Sequence, residues 1–118
     1  GTDVGGGTSL SMLWTASAAS KVLHLPDHAL PAMRALYLAS RGAAETLARG
    51  DDRGTFQLGQ EADVAVREGA GAGLTARRCA AARAIEEKLF ALMTLAVDRN
   101  VAATFGDGRL AWPHSKLL

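Results

Sequence analysis

The sequence predicts an α/β fold that is mostly helical with a few short strands. Three observations predict it. Apolar residues recur at three- and four-residue spacing in three stretches, the mark of amphipathic helices. Two short β-rich runs flank "GDG" near the C-terminal end, the pattern of a hairpin. Polar or glycine-rich breaks at "GDDRG" and "REGAGAG" separate these runs. The strands are too few and too short to close a sheet alone.

The elements follow in order along the chain. "GTDVGGG" opens it, and Val4 to Thr8 reads as a loop. Thr8 and Ser9 are both good N-caps. After them Leu10, Leu13, Trp14, Ala18, Val22 and Leu25 keep helical spacing until Pro26 ends the run. A second helix has Pro31 in its first turn and a stripe of Met33, Leu36 and Tyr37. Gly42 interrupts it, and a short helix to Ala48 follows. "GDDRG", Gly50 to Gly54, is the clearest boundary. "GTFQLGQEADVAV" then holds two turn glycines and a short strand, Asp63 to Val66. Arg67 to Gly73 is loop.

From Thr75 a single long helix is expected. Ile85, Leu89, Leu92 and Ala96 form one apolar stripe, and Phe90, Met93 and Val97 a second. Two apolar faces imply a helix covered on both sides. Val101 to Phe105 and Arg109 to Trp112 then form the hairpin, and "PHSKLL" reads as a tail.

Composition narrows the function classes. The 118 residues suit one domain, with an apolar fraction of 48% but only 5% aromatic. The core is therefore expected to be alanine-rich. Thirteen basic and twelve acidic side chains nearly balance. That gives no electrostatic case for nucleic acid or an anionic membrane surface. No run of about 18 apolar residues is present, so no membrane span is expected. The one cysteine, Cys79, cannot form an internal disulfide and reads as a small buried hydrophobe. The cysteine usage and the lack of a visible signal peptide suggest a cytoplasmic protein.

Three segments carry a family resemblance. "GTDVGGGTSLSML" resembles the part of amidohydrolase-superfamily enzymes where the last barrel strand delivers its aspartate. "GTFQLGQEADVAV" is similar to that superfamily's C-terminal signature, a glycine turn followed by Glu/Asp-Ala-Asp and a short apolar strand. "IEEKLFALMTLAVDRNVAATFGDGRLAW" is similar to the C-terminal helix and hairpin of the guanine deaminases within it. The sequence departs from the pattern at Leu58 and Gln60, where the turn usually has Pro and Lys. It departs again at Arg53, where an apolar residue normally precedes the glycine, and at Val97, where an acid is common.

The resemblance implies the C-terminal part of a metal-dependent (β/α)8 barrel plus part of a small β-sandwich domain. Residues 1–50 would be the end of the last barrel strand and the following helices. Residues 51–73 would be a strand segment of the small domain, 74–98 a long C-terminal helix, and 99–118 the final hairpin of the small domain and the tail. Such a barrel takes about 250 residues, so the chain is expected to be the C-terminal portion of a longer enzyme.

The resemblance also implies a chemistry. Asp3 would be both metal ligand and catalytic carboxylate of a Zn2+ site whose histidines are absent from this chain. Zinc-activated water would hydrolyse guanine to xanthine and ammonia in purine catabolism, and the chain alone would be inactive. Gly5, Gly6 and Gly7 would keep the loop tight beside the metal and the purine substrate. The resemblance allows a homodimer of the full-length protein. On its own, an aspartate before glycines is an ordinary turn residue.

Other candidates are weaker. "GTDVGGG" lacks the Lys-Ser/Thr of a phosphate-binding loop. His24 and His28 are four apart, but Pro26 lies between them. His114 stands in the tail without a partner. Arg77, Arg78 and Arg83 read as the solvated face of the long helix, and Trp14 and Trp112 as core or domain-contact residues. Asp63 reads as a structural turn residue. Two alternatives remain beside guanine deamination: an amidohydrolase acting on a triazine or other heterocycle, and a non-enzymatic helical interaction module docking through residues 89–97.

Overall fold

The computed structural model describes residues 1–7, 9–25, 28–70 and 73–113. Five helices and three strands follow in the order α1 (Met12–His24), α2 (Ala32–Ala39), α3 (Arg41–Thr46), β1 (Val64–Arg67), α4 (Leu74–Ala81), α5 (Ile85–Leu95), β2 (Val101–Gly106) and β3 (Arg109–Pro113). Helices α1, α2 and α5 pack on one another, α3 lies on α2, and α4 on α5. The strands form one antiparallel sheet in the order β1-β2-β3. No helix among the described residues is long and apolar enough to cross a membrane.

The helices meet through small side chains. Leu30, Ala35 and Met93 are buried together, with Ala16 packed against them. On α1 the buried positions are Ser17 and Ser20. The apolar stripe expected to bury α1 instead points outward: Leu10, Trp14, Val22 and Leu25 are all more than half exposed. The reason is geometric. Small residues let helix axes approach closely, and the Ala16–Ser17–Ser20 side is the one that α5 and α2 can reach. Of the two stripes expected here, Ile85 is exposed while Leu89, Leu92 and Ala96 are half-buried, and Phe90 and Val97 are exposed while Met93 is buried. Only one side of α5 is therefore covered within this chain.

The single helix expected over 74–98 is two helices. Ala82 and Ala84 are extended (ψ +132° and +160°), which breaks the run between α4 and α5. Glu87 Oε2 accepts the Arg83 amide at 2.9 Å, so Glu87 satisfies a free amide at the start of α5 rather than pairing with the Arg83 side chain along a continuous helix. Thr75, buried on α4, donates to the Leu95 carbonyl at 3.2 Å and ties the two together. The second helix starts after Pro31, which is its N-cap rather than part of its first turn. Gly42 does not end the helical path but lies inside α3.

The hairpin forms as the spacing predicts. Asp107 and Gly108 take φ +49° and +73°, the paired positive φ of a tight type I′ turn. Strand β1 is held at both ends. Asn100, buried, donates to the Glu68 carbonyl at 2.9 Å, and the Glu68 amide donates to the Asn100 carbonyl at 2.8 Å. At the other end Asp63 Oδ1 accepts the Asp107 amide at 2.9 Å, and its Oδ2 accepts from Arg53 at 3.2 Å. Arg53 also pairs with Glu61, and Arg49 with Asp52. The loop 50–60 is closed by Gln60. Its side-chain oxygen accepts from Thr55 Oγ1 at 2.6 Å, and its amide nitrogen donates to the Gly50 carbonyl at 3.1 Å.

Two outcomes are expected. The isolated 118-residue chain should self-associate, because Leu10, Leu25, Phe56 (91% exposed) and Leu58 (104%) present an apolar surface larger than a monomer tolerates. Light scattering on a dilute sample reads this, and a clean monomer contradicts it. Asp63→Ala should lower stability by about 1 kcal/mol, since the pairs it loses are partly solvated. Amide exchange at Asp107 should rise in the same variant.

Candidate functional site

Asp3 lies in a tight turn. Its carbonyl oxygen accepts the Gly6 amide at 3.0 Å and the Gly7 amide as well. Accepting both folds the chain back on itself. Asp3 starts the reversal at φ +46°, in the left-handed region that Asp tolerates better than most side chains. Gly5 continues it at φ +111°, where a side chain is strained. Val4 and Gly7 meet in an isolated parallel bridge.

The glycines differ in what they leave room for. A Cβ on Gly5 would meet nothing within 4 Å; its requirement is conformational. A Cβ on Gly6 would stand 2.8 Å from the Asp3 carboxylate oxygen Oδ2. A Cβ on Gly7 would stand 2.0 Å from the Thr2 carbonyl oxygen and 3.1 Å from that of Asp3. Thr2 draws no attention in the sequence, because the only trace of its close approach is the glycine it requires.

The N-cap of α1 lies two residues beyond Ser9 and three beyond Thr8. Thr8 lies outside the described residues. Ser9 is not the cap: its Oγ accepts the Ser11 amide at 3.0 Å, holding residues 9–11 as a local turn. Ser11 is the N-cap, and its Oγ accepts the Trp14 amide at 3.3 Å.

The Asp3 carboxylate is exposed and offers oxygen donors suited to a divalent cation. Among the described residues no group of three or more His, Cys, Asp or Glu side chains is placed to hold a metal ion. Asp3 thus fits as a single metal ligand and not as a complete site. Residues 1–3 carry no strand pairing among the described residues.

The remaining candidates stay apart from it. Helix α1 ends at His24, whose Nδ1 lies 2.6 Å from the Ser20 carbonyl, so His24 and His28 share no helix face. Pro26 and His114 lie outside the described residues. Cys79 is buried, as expected of a small apolar residue. Arg77, Arg78 and Arg83 are exposed. Trp14 and Trp112, expected as core or domain-contact residues, are 52% and 47% exposed and so lie outside the core of this chain. Asp63 has the structural role read from the sequence. Two grooves, of about 450 and 400 Å³, open between α4, α5 and the end of β1 and between α1, α2 and α5. Neither includes Asp3. Burial in the first lowers the pKa of Arg67 below its ordinary range.

The amidohydrolase family model matches residues 1–111. The chain belongs to the amidohydrolase family. Within this amidohydrolase chain, similarity extends nearly end to end to two curated relatives. It is 42% identical over 115 residues to the guanine deaminase of Escherichia coli (strain K12), covering 98% of this chain and 26% of that protein. It is 32% identical over 122 residues to a probable guanine deaminase of Schizosaccharomyces pombe, covering 93% and 22%. The fold is similar to the solved E. coli guanine deaminase, with a TM-score of 0.94 at 41% identity over 98% of this chain and 27% of that one. It is also similar to the guanine deaminase of Bradyrhizobium japonicum, with a TM-score of 0.81 at 28% identity over 98% and 31%. The chain spans about a quarter of the length of the curated relatives it matches.

The cap assignment has a direct check. Ser11→Ala should cost about 1 kcal/mol of stability, the usual loss for an N-cap. Ser9→Ala should cost less in paired thermal melts, since the Ser9 side chain satisfies no helix amide.

Proposed function

We propose that this chain is the C-terminal portion of a guanine deaminase, an aminohydrolase that converts guanine and water to xanthine and ammonia. One observation carries the reading: 42% identity to a guanine deaminase runs through 98% of the chain. The single sheet of β1, β2 and β3 supports grouping residues 51–73 and 99–118 in one small β domain. In this reading residues 1–4 end the last strand of a barrel, which places Asp3 at the strand's C-terminal end, where such barrels keep their active sites.

Asp3 is the carboxylate that this segment contributes to a zinc site. Zinc, when bound, supplies a water acidic enough to lose a proton near neutral pH. The Asp3 carboxylate accepts that proton. The water oxygen bonds to the amino-bearing ring carbon of guanine, and the carbon–nitrogen bond breaks. Asp3 returns the proton to the departing nitrogen, which leaves as ammonia. The glycines keep bulk away from the carboxylate, so a planar purine can lie beside it. One carboxylate does not complete a catalytic zinc site, so the 118 residues alone are inactive. The setting is purine catabolism in the cytoplasm.

The test uses the full-length enzyme. Asp3→Asn should lower guanine turnover about a thousand-fold while leaving the thermal melt in place. Xanthine absorbance and released ammonia give the rates. Undiminished deamination by the variant refutes the role given to Asp3. Turnover of a triazine but not of guanine by the wild type refutes the substrate.

A further inference from the structure

We infer that Gly7 is a positioning residue for Asp3: it has no side chain because the backbone turn that aims the carboxylate leaves no room for one. The inference rests on the role given to Asp3 above and adds a residue that acts through it.

Three observations converge on Gly7. Its amide donates to the Asp3 carbonyl, beside the Gly6 amide, so two hydrogen bonds hold the Asp3 backbone. Its α-carbon faces the Thr2 carbonyl so closely that a Cβ would lie 2.0 Å from that oxygen. The same Cβ would lie 3.1 Å from the Asp3 carbonyl oxygen. The two carbonyls that crowd Gly7 belong to Asp3 and to the residue before it. Any side chain at Gly7 therefore moves the peptide units on both sides of the Asp3 α-carbon, and the carboxylate turns with them.

Gly6 makes the contrast. A Cβ there would meet the Asp3 carboxylate at 2.8 Å but the Asp3 carbonyl oxygen only at 3.7 Å, an ordinary contact. The obstructing atom at Gly6 is the Asp3 carboxylate itself, which would have to turn about its side-chain bonds. At Gly7 the obstruction is main chain on a residue already at φ +46°, which has little freedom to yield. A methyl group at the two adjacent glycines should thus act in different ways.

The experiment is a mutant cycle in the full-length enzyme with Gly7→Ala, Asp3→Ala, the double variant, and Gly6→Ala as a comparison. Gly7→Ala should lower kcat about 100-fold, the scale of loss when a reacting group is misplaced by about 1 Å. kcat should fall by a larger factor than KM for guanine rises, because the displaced carboxylate acts on the reacting atoms while the glycine loop only borders the purine. Gly6→Ala should also lower kcat, but by turning the carboxylate about its side-chain bonds rather than by moving the Asp3 backbone. Adding Gly7→Ala to Asp3→Ala should produce almost no further loss, since residues acting as a unit are not additive. Bound divalent metal per protein, measured by mass spectrometry, should fall in both Gly7→Ala and Asp3→Ala. Additive losses in the cycle, or Gly7→Ala with wild-type metal content and a loss confined to KM, overturn the inference. If the wild type does not deaminate guanine at all, the functional reading fails separately. Metal content then still decides the link between Gly7 and Asp3: parallel loss in the two variants upholds it, and wild-type content in Gly7→Ala overturns it.

Discussion

Met93 meets Leu30, Ala35 and Ala16 where α1, α2 and α5 come together, and the small residues around it set how closely those helices lie. No large side chain is fully buried among the described residues. The helical half is therefore held by short-range packing of alanines, serines and one methionine rather than by a bulky core. Close approach of this kind tolerates little added volume. It also leaves the large apolar residues of α1, α2 and α5 on the outside, where they need a covering surface. Similarity to enzymes about four times as long accords with that need.

The same economy of volume recurs in the loop that carries Asp3. There the contact is between main-chain atoms, and the residue that permits it is Gly7. Two amides on one carbonyl and one carbonyl against a bare α-carbon define the turn. The carboxylate is left at the surface with no side-chain partner given to it by its own turn. In the function proposed above, its partners are a metal ion and the substrate.

The sheet half depends on charge and amides instead. Arg53 connects the 50–60 loop to Glu61 and Asp63, and Asp63 passes the connection on to the hairpin at Asp107. Asn100 closes the opposite end of β1. Leu58 and Gln60, where the sequence departs from the superfamily pattern, divide in effect. Leu58 is fully exposed, while Gln60 replaces the usual residue with an amide that closes the loop by itself.

Local chemistry made several features legible in the sequence alone. Helical spacing marked α1, α2 and α5, "GDG" marked the hairpin turn, and the order of motifs from Asp3 to the hairpin marked the family. Each depends on residues close in the chain, whose propensities act before any packing. Tertiary structure decided the rest. The break between α4 and α5 comes from Glu87 reaching the Arg83 amide and from Thr75 tying α4 to Leu95, neither of which a continuous apolar stripe reveals. The inward side of α1 was chosen by which neighbours could approach, so the small face went in and the apolar stripe stayed out. The cap moved to Ser11 because the Ser9 hydroxyl was already taken by a nearer amide. The separate demands on Gly5, Gly6 and Gly7 became visible only once the backbone path brought the Thr2 carbonyl over one of them, since three identical letters carry no record of what lies across from each.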